Sequence, residues 1–138
     1  MGARIQRFED VEAWQKAREL SRHVYRVSGT GVFARDHNLV SQIRRAAIST
    51  MSNIAEGFER RSDKEFLHFL GVARGSAAEV RSLLYLAHDV GLLADSEFEE
   101  LCRVTGETTR LISGLMRYLK TAKTKDRTPD QETADRRP

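Results

Sequence analysis

The sequence predicts an all-α fold, an antiparallel up-down four-helix bundle, on three observations. Proline is absent before Pro129, so nothing in the first 128 residues forbids a long helix. No alternating β-branched run is bounded by turn residues, as a strand would be. Four segments carry apolar residues at steps of three and four, each closed by a capping or glycine signal.

The first helix is expected over about residues 10–28, with Trp14, Ala17, Leu20, Val24 and Val27 on one face and Asp10 as N-cap. Gly29 and Gly31 end it, because glycine readily takes left-handed or loop geometry. The second spans about residues 36–56 and closes at Gly57. The third opens at Ser62-Asp63-Lys64-Glu65, a capping box, and continues through Phe66, Leu70, Ala73, Ala77, Val80, Leu84 and Ala87 to a left-handed Gly91. A second Ser-x-x-Glu box, Ser96 with Glu99, opens the fourth. Its seam is Phe98, Leu101, Thr105, Thr108, Ile112, Leu115 and Leu119, with Val104, Leu111 and Tyr118 beside it.

At 138 residues the chain forms one domain that can bury a core without disulfide or metal. Residues 1–122 read as the bundle and residues 123–138, rich in Lys, Asp, Thr, Glu and Arg, as a disordered tail. Cys102, the single cysteine, falls in a helical pattern and reads as a packing residue. The N-terminus has no apolar signal core, and no stretch approaches the ~20 apolar residues of a membrane span. A cytoplasmic protein with no membrane partner is the expectation. The formal charge of +3 is unevenly spread, with base in excess over residues 1–58 and 101–138 and acid in excess between. That bias favours a polyanionic partner without establishing one.

Four blocks in order carry a resemblance. They are Phe8-Glu9-Asp10-Val11-Glu12-Ala13-Trp14-Gln15-Lys16-Ala17, Ser41-Gln42-Ile43-Arg44-Arg45-Ala46-Ala47, Ser52-Asn53-Ile54-Ala55-Glu56-Gly57-Phe58 and Gly75-Ser76-Ala77-Ala78-Glu79. Over about residues 8–120 the chain resembles the four-helix-bundle proteins encoded in intervening sequences of bacterial large-subunit ribosomal RNA. Those proteins resemble in turn the accessory variability proteins of diversity-generating retroelements. The resemblance implies a protomer that assembles into a ring, a pentamer, with no enzymatic activity. Nucleic-acid binding is implied through the retroelement branch alone. Where the family often carries Ile-Pro, this chain has Thr50-Met51, so an expected kink is lost.

The run from Ala46 to Ala55 holds no charged residue, although nearly a third of the chain is charged. A surface helix should show water one polar face, so this segment is either enclosed within the protomer or covered by a neighbouring copy. Small residues on the third helix match it, and its glycines cost about 1 kcal/mol each relative to alanine. The candidate oligomer interface is Arg44, Ala47, Ile48, Met51, Ser52, Ala55, Glu56, Gly75, Ser76 and Glu79. Glu56 and Glu79 are expected to need arginine partners, with Arg44 or Arg45 answering them across helices or subunits.

Glu65-x-x-His68 is half of a di-iron motif. The other histidines lack a glutamate at that spacing, so no metal and no cofactor is expected. Candidate nucleic-acid contacts are Arg44, Arg45, Arg60, Arg61, Lys64, Arg117, Lys120 and Lys123. The second-to-third turn and the end of the fourth helix are expected at opposite ends of the bundle, so these residues form no single stripe in one protomer. With few aromatics interleaved, binding would follow phosphates and not base sequence, whether the partner is RNA or DNA. The function expected is a non-enzymatic oligomeric adaptor for nucleic acid. The alternative is an oligomeric scaffold for a protein partner.

Overall fold

Helix ends in the computed structural model follow local chemistry. The structure describes residues 5–125, which form α1 (Glu12–Ser28), α2 (His37–Phe58), α3 (Asp63–Asp89) and α4 (Asp95–Lys125). Of the tail expected over residues 123–138, residues 123–125 belong to α4, and residues 126–138 lie outside the described residues.

One cap, Ser62, matches expectation, and Asp36, expected as the first residue of its helix, caps that helix instead. Asp36 accepts from the Leu39 N–H at 3.0 Å to start α2. Ser62 accepts from the Glu65 N–H at 3.2 Å to start α3. Gly91, at φ 83°, turns the chain out of α3.

Three ends differ. Asp10 is drawn into a 3-10 turn, Phe8–Asp10, so Val11 becomes the residue before α1. The Phe8 ring meets Trp14 edge-on at 5.1 Å and holds that turn against the bundle. At α4 the reciprocal carboxylate is Glu97, which accepts from the Ala94 N–H at 3.2 Å, while Ser96 already lies inside the helix. Gly57 does not stop α2, which continues through it to Phe58. A Cβ there would lie 2.7 Å from the Phe69 Cβ and 2.9 Å from the Phe66 ring, so this glycine permits the close approach of α2 and α3.

Each helix packs on its sequence neighbours, and α1 also packs on α4, which closes the square of an up-down bundle. The core has two halves. One is aliphatic apart from Phe33, and includes Leu20, Val24, Ile43, Leu84, Leu101 and Val104. The other is richer in aromatics and includes Trp14, Phe58, Phe66, Met116 and Leu119. Between them lie buried hydroxyls. Thr50, Thr105 and Thr108 donate within their own helices, and Ser21 bridges from α1 to the Ala47 carbonyl of α2 at 3.1 Å. Each such bond satisfies a hydroxyl that would be costly to bury alone.

The second half also corrects the topological expectation. Phe58 at the end of α2, Phe66 at the start of α3 and Leu119 near the end of α4 share one cluster. The α2–α3 turn and the end of α4 therefore lie at the same end of the bundle. Two antiparallel crossings, α2 to α3 and α3 to α4, return the chain to that end.

Among the described residues, no helix is long and apolar enough to cross a membrane.

Candidate functional site in the groove between the first two helices

The α1 stripe facing α2 is set by Ser21, whose bond to Ala47 fixes which side of the helix turns that way. Four residues on, Tyr25 occupies the same stripe one turn nearer the C-terminus. Its ring is 44% exposed, and the Arg44 guanidinium from α2 lies 4.2 Å over it. Arg44 Nε donates to Ser28 Oγ at 2.9 Å and Nη2 donates to the Tyr25 carbonyl at 3.3 Å. The guanidinium thus closes an open carbonyl at the end of α1. Two of its five N–H donors are used in this way, and the remainder stay available.

Gly29 makes room for this contact. A Cβ at that position would lie 3.2 Å from Arg44 Nη2 and 3.0 Å from the Tyr25 carbonyl. Its φ is −98°, so space and not left-handed backbone explains it, whereas Gly31 is the glycine with a positive φ, 61°.

Arg45 is exposed on the next residue and donates to Ser41 Oγ at 3.4 Å. Tyr25, His37, Val40, Ser41, Arg44, Arg45 and Ile48 line a shallow open groove of about 410 Å³. The lining holds two fixed cations and no acid. Among the described residues neither arginine forms an ion pair, so their positive charge reaches solvent uncancelled. The floor is apolar, formed by Tyr25, Val40 and Ile48.

The profile of one protein family, described as 23S rRNA-intervening sequence protein, matches residues 9–114 of this chain. The chain belongs to that family. The sequence resemblance is thereby established, while a relation to retroelement proteins rests on resemblance alone. No curated protein matches the sequence. Among solved structures, one resembles it at TM-score 0.71 with 20% identity, over 77% of this chain and 96% of the other. That structure is a protein of unknown function from the S23 ribosomal protein family of Bacteroides thetaiotaomicron VPI-5482. At this identity the likeness shows the shared fold.

In this member of the 23S rRNA-intervening sequence protein family, the other basic candidates sit at the far end of the bundle. Arg60 is spent locally. It pairs with Glu56 at 2.8 Å, reaches Glu65 at 4.0 Å and covers the Phe69 ring at 4.7 Å. Arg61, Lys64, Arg117 and Lys120 are exposed at that same end. Lys123 falls outside the residues whose side chains are described. The expected separation of Arg60, Arg61 and Lys64 from Arg117 and Lys120 is therefore reversed, and the outlying pair is Arg44 and Arg45.

The candidate interface residues also sort out. Ala47 is fully enclosed by its own protomer, so the surface open to a copy leaves it out. Met51 and Ala55 are partly covered by the second core half. Ile48, Ser52, Glu56, Gly75 and Glu79 are exposed, and Ser76 is half-buried, with its hydroxyl 2.8 Å from that of Ser49. Within the protomer Glu56 finds its partner four residues on, in Arg60 just past the end of α2, and not in Arg44 or Arg45. Glu79 is exposed in the single protomer. Of the uncharged run, the protomer encloses Ala46, Ala47, Thr50 and Ile54 and leaves Ile48 and Ser52 open, while the half-buried Ser49 hydroxyl bonds Ser76 and Asn53.

Glu65 is occupied with Arg60 and the Ser62 hydroxyl, which lies 3.5 Å away. Cys102 packs partly buried against the aliphatic half of the core, and burial pushes its thiol pKa up. Sequence reasoning missed Tyr25, Ser28, Gly29 and His37. The one signal available was the step of four from Ser21 to Tyr25, which puts an aromatic ring on the stripe that faces the arginine-bearing helix.

Proposed function

We propose that this protein is a non-enzymatic homo-oligomer that holds the phosphate backbone of a nucleic acid in the α1–α2 groove without reading base sequence. The observation that carries this reading is the pair Arg44 and Arg45. Both guanidiniums line the groove, Arg44 held by two hydrogen bonds and Arg45 by one of 3.4 Å, and no carboxylate shares the lining. A guanidinium already held in place loses less rotamer entropy when it meets a phosphate. Repetition around a closed assembly would multiply the phosphates engaged, and polyanion affinity grows steeply with their number.

Fluorescence anisotropy of labelled RNA and DNA against salt concentration tests it. Affinity should fall log-linearly with salt and depend little on sequence, and Arg45→Ala should flatten the slope. Affinity independent of salt, or no binding at low salt, would overturn the reading.

Self-assembly has its own support. A Cβ at Gly71 or Gly75 would meet nothing within 4 Å, so the packing of one protomer does not require either glycine in α3. Each lowers helix stability by about 1 kcal/mol relative to alanine, and close approach by a copy would compensate. The ring is pentameric if the family resemblance holds. Light scattering at micromolar protein should give a multiple of the 15.7 kDa chain, and a monomeric mass would remove this part of the proposal. Should a ring form and bind no polyanion, a scaffold for a protein partner becomes the better reading.

A further inference from the structure

The groove described above offers more than charge. One face of the Tyr25 ring lies under the Arg44 guanidinium, 4.2 Å away, and the ring as a whole is 44% exposed. Among the described residues no second ring or cation stacks on it. Val40 and Ile48 extend the apolar surface beside it, and Arg45 stands on the same lining. The ring seats Arg44, and with Ile48, 42% accessible, it also leaves apolar surface open beside the two guanidiniums.

We propose that Tyr25 is a base-stacking platform and that the groove takes single-stranded nucleic acid in preference to duplex. This rests on the polyanion reading above and names its substrate class. In a duplex the bases are already stacked, so only phosphates and groove edges are presented to a flat ring. In this proposal a single strand lays one base on the face of Tyr25 opposite Arg44 while adjacent phosphates meet Arg44 and Arg45. Arg44 behind the ring then completes a layered stack of base, tyrosine and guanidinium. Stacking of this kind tolerates any base, because each has a π face. Sequence indifference and strand selectivity therefore coexist.

The test compares three probes on the full-length protein at low salt: a short oligothymidylate, an abasic strand of equal length, and a duplex of equal length. The intact single strand should bind about fivefold or more tighter than the abasic strand, the gain expected of one stacked base. Tyr25→Leu keeps an apolar exposed residue and should bring the intact and abasic affinities together, read as their ratio, while any loss common to both strands reports the lost seat of Arg44. Tyr25→Trp should restore or enlarge the gain. Equal affinity for intact and abasic strands, a preference for duplex, or a base-dependent gain that survives Tyr25→Leu overturns the inference while the polyanion reading stands. Failure of every probe to bind removes both. An acidic peptide bound as tightly as the intact strand would also overturn it, since the groove would then select a protein chain.

Discussion

The two flanks of α1 carry similar numbers of basic side chains and meet opposite chemistry. Toward α4, Lys16 bridges Glu19 at 3.0 Å and Glu107 at 3.1 Å, and Arg103 holds both Glu100 and Glu107 at 2.6 Å. Each charge there alternates with an opposite one. The bonds to Arg103 lower the Glu100 pKa first of all, and the bond to Lys16 does the same for Glu107. Lys16 is raised in return, by Glu19 before Glu107. Toward α2, Arg44 donates to a hydroxyl and a carbonyl, Arg45 to a hydroxyl, and no carboxylate joins them. A cation satisfied by neutral acceptors keeps its field, whereas one paired with an acid loses it to solvent at a few ångströms. The first flank is a seam between helices, and the second is where the proposed function places an anion.

The sharpest way to break that contrast is to remove charge from each flank in turn. The double change Arg44→Ala with Arg45→Ala should reduce the slope of log affinity against log salt by about two for any nucleic acid. Arg103→Ala should leave that slope alone. Equal losses from both flanks would show that binding follows net charge and not the groove. A smaller effect is expected from Gly29→Ala, whose methyl group would press on Arg44 Nη2 and the Tyr25 carbonyl. It should weaken binding severalfold without changing formal charge, read by the same anisotropy titration. Unaltered affinity would mean that the guanidinium need not be held where it is. The stability readout runs the other way. Arg103→Ala should lower Tm by a few degrees, less at high salt, because exposed pairs count for little singly and somewhat more in a network. Arg45→Ala should lower it hardly at all.

Much of the fold was legible because its determinants are local. Helical spacing named almost every core residue of α3, and Ser62 announced its helix by chemistry that acts within three residues. What the sequence hid was set across helices. Gly57 looks like a terminator, and only the Phe69 side chain of the adjoining helix reveals it as a contact point. In the Ala46–Ala55 run a hydropathy pattern could not tell that the Ser49 hydroxyl is spent on Ser76 across to α3 and on Asn53, whereas Ile48 and Ser52 stay open in the protomer. The groove was half legible. Arg44-Arg45 stands out in any reading, but Tyr25 and Ser28 lie nineteen and sixteen positions away, and only packing joins them. Charge pairing was the least visible. Glu56 could have met any nearby arginine, and the i to i+4 neighbour Arg60 had the advantage of needing no tertiary structure at all.

The smallest effect probes the α1–α4 flank through His23, on α1 beside that network. Burial lowers its pKa below the ordinary 6.5, Arg26 and Arg103 push the same way, and Glu100 and Glu19 oppose them. Its Nδ1 is buried without a hydrogen-bond partner among the described residues, which suits a neutral ring. The unfolded chain therefore takes up this proton before the folded one does. Above about pH 7.5 both states are neutral here and the residue adds no pH dependence. As pH falls through 6.5 the unfolded state gains the proton first, so stability declines until the folded-state pKa is passed. Thermal melts between pH 7.5 and 5.5 should show a modest loss of Tm in the native protein and a smaller one in His23→Gln. The paired carboxylates do not confound this window, since their pKa values lie lowered from 4.5. Removing Arg103 ties the effect to the flank. Without it, its own repulsion of His23 is gone and Glu100, freed of its guanidinium, draws His23 toward its charged form, so Arg103→Ala should itself shrink the acid sensitivity. Identical melting profiles for the native chain and His23→Gln would show that the ring is as well solvated as in the unfolded state.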